Sequence, residues 1–312
     1  MIPRASPGLA AALARRTGRV QHAVLNAFTK TDYRPILLGN TAMTRRIGRR
    51  DLLAGALAST VIVPSSRSYS YGYYATNRAM RPPALQDGEA IWQWLVLLID
   101  ASSSMRERFE RMTFYDLQIE ATARALMEPC VADRLIGSRR ARTAIGAILW
   151  SARMQQEIAV HWQVIRATDD IAAVARRLRN TANYLDSYTG VAAAIGFATG
   201  QLTAVHIGSA SRKIIDVTAN GRDNQGGDPA AAAARAEQAG ITINAVVMEG
   251  YDGTVDEIYD YYSDHVITRD GMVFKVPSES AGLEALATAC TSKLCAEIAR
   301  APDQLRTPAA LL

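Results

Sequence analysis

Asp100, Ser102 and Ser104 are the residues of this chain most suited to chemistry. They close the stretch Ile91-Trp92-Gln93-Trp94-Leu95-Val96-Leu97-Leu98-Ile99-Asp100-Ala101-Ser102-Ser103-Ser104, an apolar run ending in Asp-x-Ser-x-Ser. One carboxylate and two hydroxyls at alternate positions are hard oxygen donors, the kind that Mg²⁺ or Mn²⁺ prefers. Two later stretches have the same character. Asp186-Ser187-Tyr188-Thr189-Gly190-Val191 offers Asp186 and Thr189, and Ala219-Asn220-Gly221-Arg222-Asp223-Asn224 offers Asn220 and Asp223. Plainer uses exist for each: Asp100 as the cap of the loop after a strand, the serines in local backbone bonds, and Thr189 as a helix N-cap.

The elements that must position these residues are legible from apolar patterning. Ile91 to Ile99 is about one strand long and lacks strict alternation, which predicts burial on both faces. It is too short to span a bilayer, which takes about 20 apolar residues. A long helix is expected over Glu107–Met127, ended by Pro129-Cys130, then an antiparallel hairpin of Thr143–Ser151 and Glu157–Val164. Helices are expected over Asp169–Arg179, with Thr168 or Asp169 as cap, and over Gly190–Val205, whose apolar composition predicts deep burial. Lys213–Thr218 and Ile241–Met248 read as strands, and Met272–Val276 as a short one. Pro229–Gln238, Val255–His265 and Ala281–Arg300 read as helices. This alternation predicts a doubly wound α/β fold, a mainly parallel central sheet with helices on both faces. Open sheets of this type bind ligands at the C-terminal ends of their strands, where Asp100 and Asn220 fall.

The three loops, in this order, resemble the metal ion-dependent adhesion site of von Willebrand factor A domains. The resemblance covers roughly 89–300. The strand pair carrying Trp150 and Trp162, and the strand end Asp216-Val217-Thr218-x-x-Gly221, are similar to those of an exported bacterial subgroup. The resemblance implies a Rossmann-like fold and a bound Mg²⁺ or Mn²⁺. It implies that Ser102, Ser104 and Thr189 touch the ion, that Asp100 and Asn220 act through waters, and that a protein partner donates a carboxylate as the last ligand. The chain departs from the pattern in two places. Ser187 and Tyr188 stand where the family has glycines, and Asn220 stands where it has Asp. Asn220 keeps a carbonyl oxygen but removes a negative charge, and a hard dication is held largely by charge. Asp186 or Asp223 is the candidate source of compensation. The expected function is therefore an exported, metal-assisted protein-binding module. A metal-free interaction scaffold and a hydrolase using Asp100 with a neighbouring serine are the alternatives.

Enzyme motifs are otherwise missing from the sequence. It has no Gly-x-Ser-x-Gly elbow, P-loop or dinucleotide Gly-x-Gly-x-x-Gly, and its four histidines show no metal-ligand spacing. His206 reads as a dipole partner at the end of a helix. Asp256, Glu257, Asp260 and Asp264 read as a solvated helix face.

The 312 residues carry a formal net charge of +5, but the basic character is local. Residues 1–66 hold ten Lys/Arg and two acidic residues, leaving 25 basic and 28 acidic residues in the remainder. That remainder gives no electrostatic reason to expect nucleic acid. Arg49-Arg50-Asp51-Leu52-Leu53 and the moderately apolar run to Val63 read as a twin-arginine export signal over 43–66, after an extension over 1–42. A periplasmic location follows, with membrane attachment only through an uncleaved signal. Residues 67–88 read as a linker and 301–312 as a tail. Among Cys130, Cys290 and Cys295, a bond between the last two would break their helix. Cys130 bonded to either one, or three free thiols, are both admitted.

Overall fold

The computed structural model describes residues 79–109, 111–205, 212–276 and 282–298. The extension over 1–42, the export signal over 43–66, His206 and the tail over 301–312 lie outside the described residues.

Strand β1, Ile91–Asp100, is the centre of the domain. Parallel partners flank it on both sides: β4, Arg142–Trp150, and β6, Arg212–Ala219. Beyond β4 lies the antiparallel β5, Gln156–Ile165, and beyond β6 lie β7, Ile241–Val247, and the short β8, Val273–Lys275. The six-stranded order is β5-β4-β1-β6-β7-β8, with only the β4–β5 pair antiparallel. Two-residue strands β2, Arg108–Phe109, and β3, Met112–Thr113, form a separate small hairpin.

The side-chain alternation of β1 divides the core. Leu95, Leu97 and Ile99 pack into one layer with α1 (Phe114–Met127), α2 (Pro129–Ile136), α3 (Thr168–Arg179) and α7 (Leu283–Glu297). Trp94, Val96 and Leu98 pack into the other, with α4 (Val191–Ala204), α5 (Pro229–Gln238) and α6 (Val255–His265). This is the doubly wound arrangement, and strand order and layers together are von Willebrand factor A-like.

Several local expectations are corrected. The first helix begins at Phe114, not Glu107: the Thr113 hydroxyl accepts the Asp116 N–H at 3.0 Å and the Asp116 carboxylate receives the Thr113 hydroxyl at 2.7 Å. That capping box outweighs the apolar spacing of Phe109 and Met112 upstream. Pro129 ends α1, but it also opens α2 as its first residue, a position proline tolerates well. Neither Thr168 nor Asp169 caps α3; the Asp170 carboxylate does, accepting the N–H groups of Arg166 and Ala167 at 2.9 and 3.1 Å. Helix α4 buries one face only, through Val191, Ala194, Ile195, Ala198 and Leu202, while Gly196 and Gly200 face outward.

Residues 79–90 are tied down on the β4–β5 side. Met80 is buried and fills the space above Gly146 beside Trp162. Glu89, its side chain only 1% exposed, takes a bidentate ion pair from Arg166 at 2.7 Å and faces Arg142 at 3.4 Å. Hydrogen bonds from Arg166 hold its carboxyl down at about 2, against an ordinary 4.5. A depressed carboxylate stabilises the fold fully above its unfolded pKa and loses that contribution as pH falls through the folded one. Thermal melts should therefore show stability falling between about 4.5 and about 2. Glu89→Gln should lower the melting temperature at neutral pH and flatten that acid limb. An unchanged acid limb in the variant would show that Glu89 does not carry it.

Candidate metal centre

The C-terminal ends of β1 and β6 meet the N-terminus of α4 in one place. Asp100, at the last position of β1, is fully buried. Its Oδ1 accepts the Ser102 N–H at 2.8 Å, so the loop-capping role is real. Its Oδ2 is buried and makes no hydrogen bond of good geometry, although the Asn220 N–H and the Ser102 hydroxyl lie close enough to favour the charged form. Burial outweighs those donors and pushes the carboxyl up to about 6, with the negative charge of Asp252 adding to the shift.

The hydroxyls complete a chain of donors. Ser102 Oγ lies 3.3 Å from Ser104 Oγ, which donates to Asn220 Oδ1 at 2.9 Å. Asn220 is 1% exposed and its Nδ2 is buried without a partner. Thr189 is 3% exposed, and its hydroxyl lies 3.7 Å from where a Cβ on Gly221 would stand. The structure thus brings Asp100, Ser102, Ser104, Thr189 and Asn220 into one site.

The Thr189 loop is clamped from three sides. Its N–H donates to Asn224 Oδ1 at 2.8 Å, the Ser151 hydroxyl donates to the Tyr188 carbonyl at 3.0 Å, and the Ser103 N–H to the Ser187 carbonyl at 2.8 Å. The N-cap of α4 is Gly190, and no side chain of that residue or of Thr189 caps the helix. Asp223 does this work instead. Its Oδ2 accepts the Ala192 N–H at 2.9 Å, and its Oδ1 accepts Gln225 and Gly227 at 3.0 and 3.1 Å. Asp186 is more than half exposed and pairs with Arg106 at 3.2 Å. Both carboxylates offered for compensation are therefore engaged elsewhere.

One loop carries functional groups that the sequence reading passed over. Between β7 and α6, Gly250 and Gly253 bridge across a turn whose tip is Tyr251-Asp252. Asp252 borders a groove of about 330 Å³ together with Ser104, Glu107, Thr189 and Asn224. Exposed Tyr188 and Tyr251 stand next in sequence to Thr189 and Asp252. Their only sequence signal was a carboxylate between two glycines after a strand.

The donor set suits a hard dication. A buried carboxylate without a counter-charge is costly, and among the described residues no Lys or Arg pairs with Asp100. Hydroxyl, amide and carboxylate oxygens surround it. Among the described residues no three His, Cys, Asp or Glu side chains gather into a metal-holding group.

The family model described as "Protein of unknown function (DUF1194)" matches residues 90–302, a span that includes all three loops. The chain belongs to the DUF1194 family. No curated protein matches it. Solved structures similar to this DUF1194 chain include proximal thread matrix protein 1 from the mussel byssus, at 14% identity and a TM-score of 0.48, over 66% of this chain and 47% of that one. They also include an aerotolerance-related membrane protein from Bacteroides fragilis, at 16% identity and a TM-score of 0.42, over 64% and 98% of the two chains. A third is a von Willebrand factor type A protein from Catenulispora acidiphila, at 14% identity and a TM-score of 0.43, over 66% and 43%. A further structure of the mussel protein is described as having a zinc-occupied MIDAS motif. This chain spans about half the mussel protein's length. The von Willebrand factor A-like assignment rests on the strand order and the three loops themselves.

Proposed function

We propose that this DUF1194 chain is an exported binding module that recognises an acidic group of a protein partner through a divalent cation. The observation that carries this reading is the fully buried Asp100, its Oδ2 unpartnered, beside the hydroxyl and amide oxygens of Ser102, Ser104, Thr189 and Asn220. Ser102, Ser104 and Thr189 would hold Mg²⁺ or Mn²⁺, with Asp100 and Asn220 supporting from behind. A cation there supplies a fixed positive charge open to a carboxylate from outside. Tyr251, 86% exposed, lines the groove, and Tyr188, 63% exposed, is next in sequence to Thr189; both offer aromatic contacts to a partner.

One further observation supports the reading. Cys130 and Cys295 form a disulfide, a bond that persists in oxidising compartments and accords with export. Among the described residues no helix is long and apolar enough to cross a membrane. A hydrolase reading gains nothing from the geometry, because the groove lining has no histidine to activate Ser102 or Ser104. The metal-free scaffold is favoured by one feature: Ser102, Ser104 and the Asn220 carbonyl oxygen are already linked in a hydrogen-bonded chain.

Calorimetric titration with Mg²⁺ separates the two. The wild-type chain should bind Mg²⁺ and Asp100→Ala should not, because a hard dication is held largely by charge. Capture of a partner from periplasmic extract should be lost with chelator and in Asp100→Ala. Capture that persists under both treatments would establish the metal-free scaffold.

A further inference from the structure

We propose that Asp252, from the loop after β7, supplies the carboxylate that Asn220 lacks at the cation site. This rests on the cation reading above.

The loop is built onto Asn220. A Cβ at Gly250 would stand 1.8 Å from the Asn220 carbonyl oxygen, so only glycine lets the backbone approach so closely. Gly253, with φ of 150°, closes the turn in a region that L side chains rarely adopt. The next residue, Thr254, fixes the exit: its hydroxyl and N–H complete a capping box with Glu257 at the start of α6. The turn tip is held at both ends.

That frame sets Asp252 beside the proposed ligands. A Cβ at Gly221 would lie 3.1 Å from Asp252 Oδ2 and 3.7 Å from Thr189 Oγ1, so carboxylate and hydroxyl share the small space above Gly221. Ser104 and Thr189 border the same groove as Asp252. Close enough for the Asp252 charge to act on it, fully buried Asp100 has an oxygen without a hydrogen bond, and buried Asn220 has an amide nitrogen without one. Asp252 makes no ion pair among the described residues, whereas Asp186 is paired with Arg106 and Asp223 is committed to three backbone N–H groups. A free carboxylate at this point restores the charge count of an Asp-bearing site from a different strand end. A short side chain on a rigid turn loses little freedom in doing so.

The test is a Mn²⁺ titration of the full chain by calorimetry. Asp252→Asn should weaken binding roughly tenfold to a hundredfold. Asn220→Asp placed in the Asp252→Asn background should recover most of that loss. Asp260→Asn, which removes an exposed acid of α6 outside the groove, should change affinity by less than about twofold. Because Asp252 is exposed, its melting temperature serves as the folding control. Wild-type affinity in Asp252→Asn would overturn the proposal and leave the cation reading intact. Binding only after Asn220→Asp would overturn it as well, since Asp252 then fails to compensate. Absence of Mn²⁺ binding in every variant would overturn both.

Discussion

Loss of the Cys130–Cys295 bond should destabilise the folded domain by as much as about 5 kcal/mol. The bond joins α2 to α7 across a sequence separation of 165, with Cα atoms 6.0 Å apart. Cross-linking so long a loop removes much of the freedom of the unfolded chain, and the stabilisation grows with the logarithm of loop length. Cys130 is exposed, so a reductant reaches the bond without unfolding the domain. The remaining thiol, Cys290, is fully buried, and burial pushes it up to about 12. The reactive thiolate is thereby suppressed, and exchange with the bond is slow. Calorimetry with and without dithiothreitol, and on Cys130→Ala with Cys295→Ala, should show a melting temperature lower by roughly 10–20 °C. Equal melting temperatures in the two states would show that the bond constrains little.

Lys293→Met should cost about 3–5 kcal/mol at neutral pH. Leu97, Asp216 and Asn244 lie side by side across β1, β6 and β7, on the face covered by α7. From α7, Lys293 forms an ion pair with Asp216, and Glu297 receives the Asn244 side-chain N–H at 2.6 Å. Lys293 and Glu297 are 1% and 2% exposed. Burial pulls the lysine down to about 8 and pushes the Glu297 carboxyl up. Removing the ammonium leaves two carboxyl groups in a dry layer, with Arg212 the remaining cation acting on Glu297. A carboxyl whose pKa is raised on folding binds more protons in the folded state, so stability rises as pH falls. The deficit of Lys293→Met, measured by urea unfolding at several pH values, should therefore shrink on acidification from 7 towards 5. A deficit under about 1 kcal/mol, unchanged with pH, would mean that the cluster is solvated.

These two features explain where sequence reasoning reached and where it stopped. Strand β1 was legible because burial on both faces leaves an unbroken apolar run. The three loops were legible because each places its oxygen donors at a strand end or before a helix. Asp216 carried a visible signal, a carboxylate inside Ile214-Ile215-Asp216-Val217, but its partner lies 77 residues away on α7. Nothing local links the two. The disulfide partner of Cys130 was left open for the same reason, since α2 meets α7 only after the sheet is wound.

The misplaced start of α1 has a different cause. Phe109 and Met112 fit helical spacing, yet Thr113 and Asp116 are a stronger local stop. Pro129 acts both as a terminator and as an opener, because proline suits the first turn of a new helix. At the site, proximity in sequence is a poor guide to proximity in space. Asp223 sits three residues after Asn220 but turns to cap α4 through Ala192. Asp252 is far away in sequence and comes close because Gly250 rests on the Asn220 backbone. A four-residue turn has no periodicity by which to be noticed.

The central claim is that the buried Asp100 and its ring of oxygens hold a divalent cation. Electron paramagnetic resonance of free Mn²⁺ during titration into the full chain tests it most directly, because protein-bound Mn²⁺ leaves the sharp aqueous signal. One equivalent of the signal should disappear with the wild-type chain and return on adding Mg²⁺ in excess. It should stay at full height with Asp100→Ala. A full free signal with the wild-type chain and with Asn220→Asp would contradict the claim.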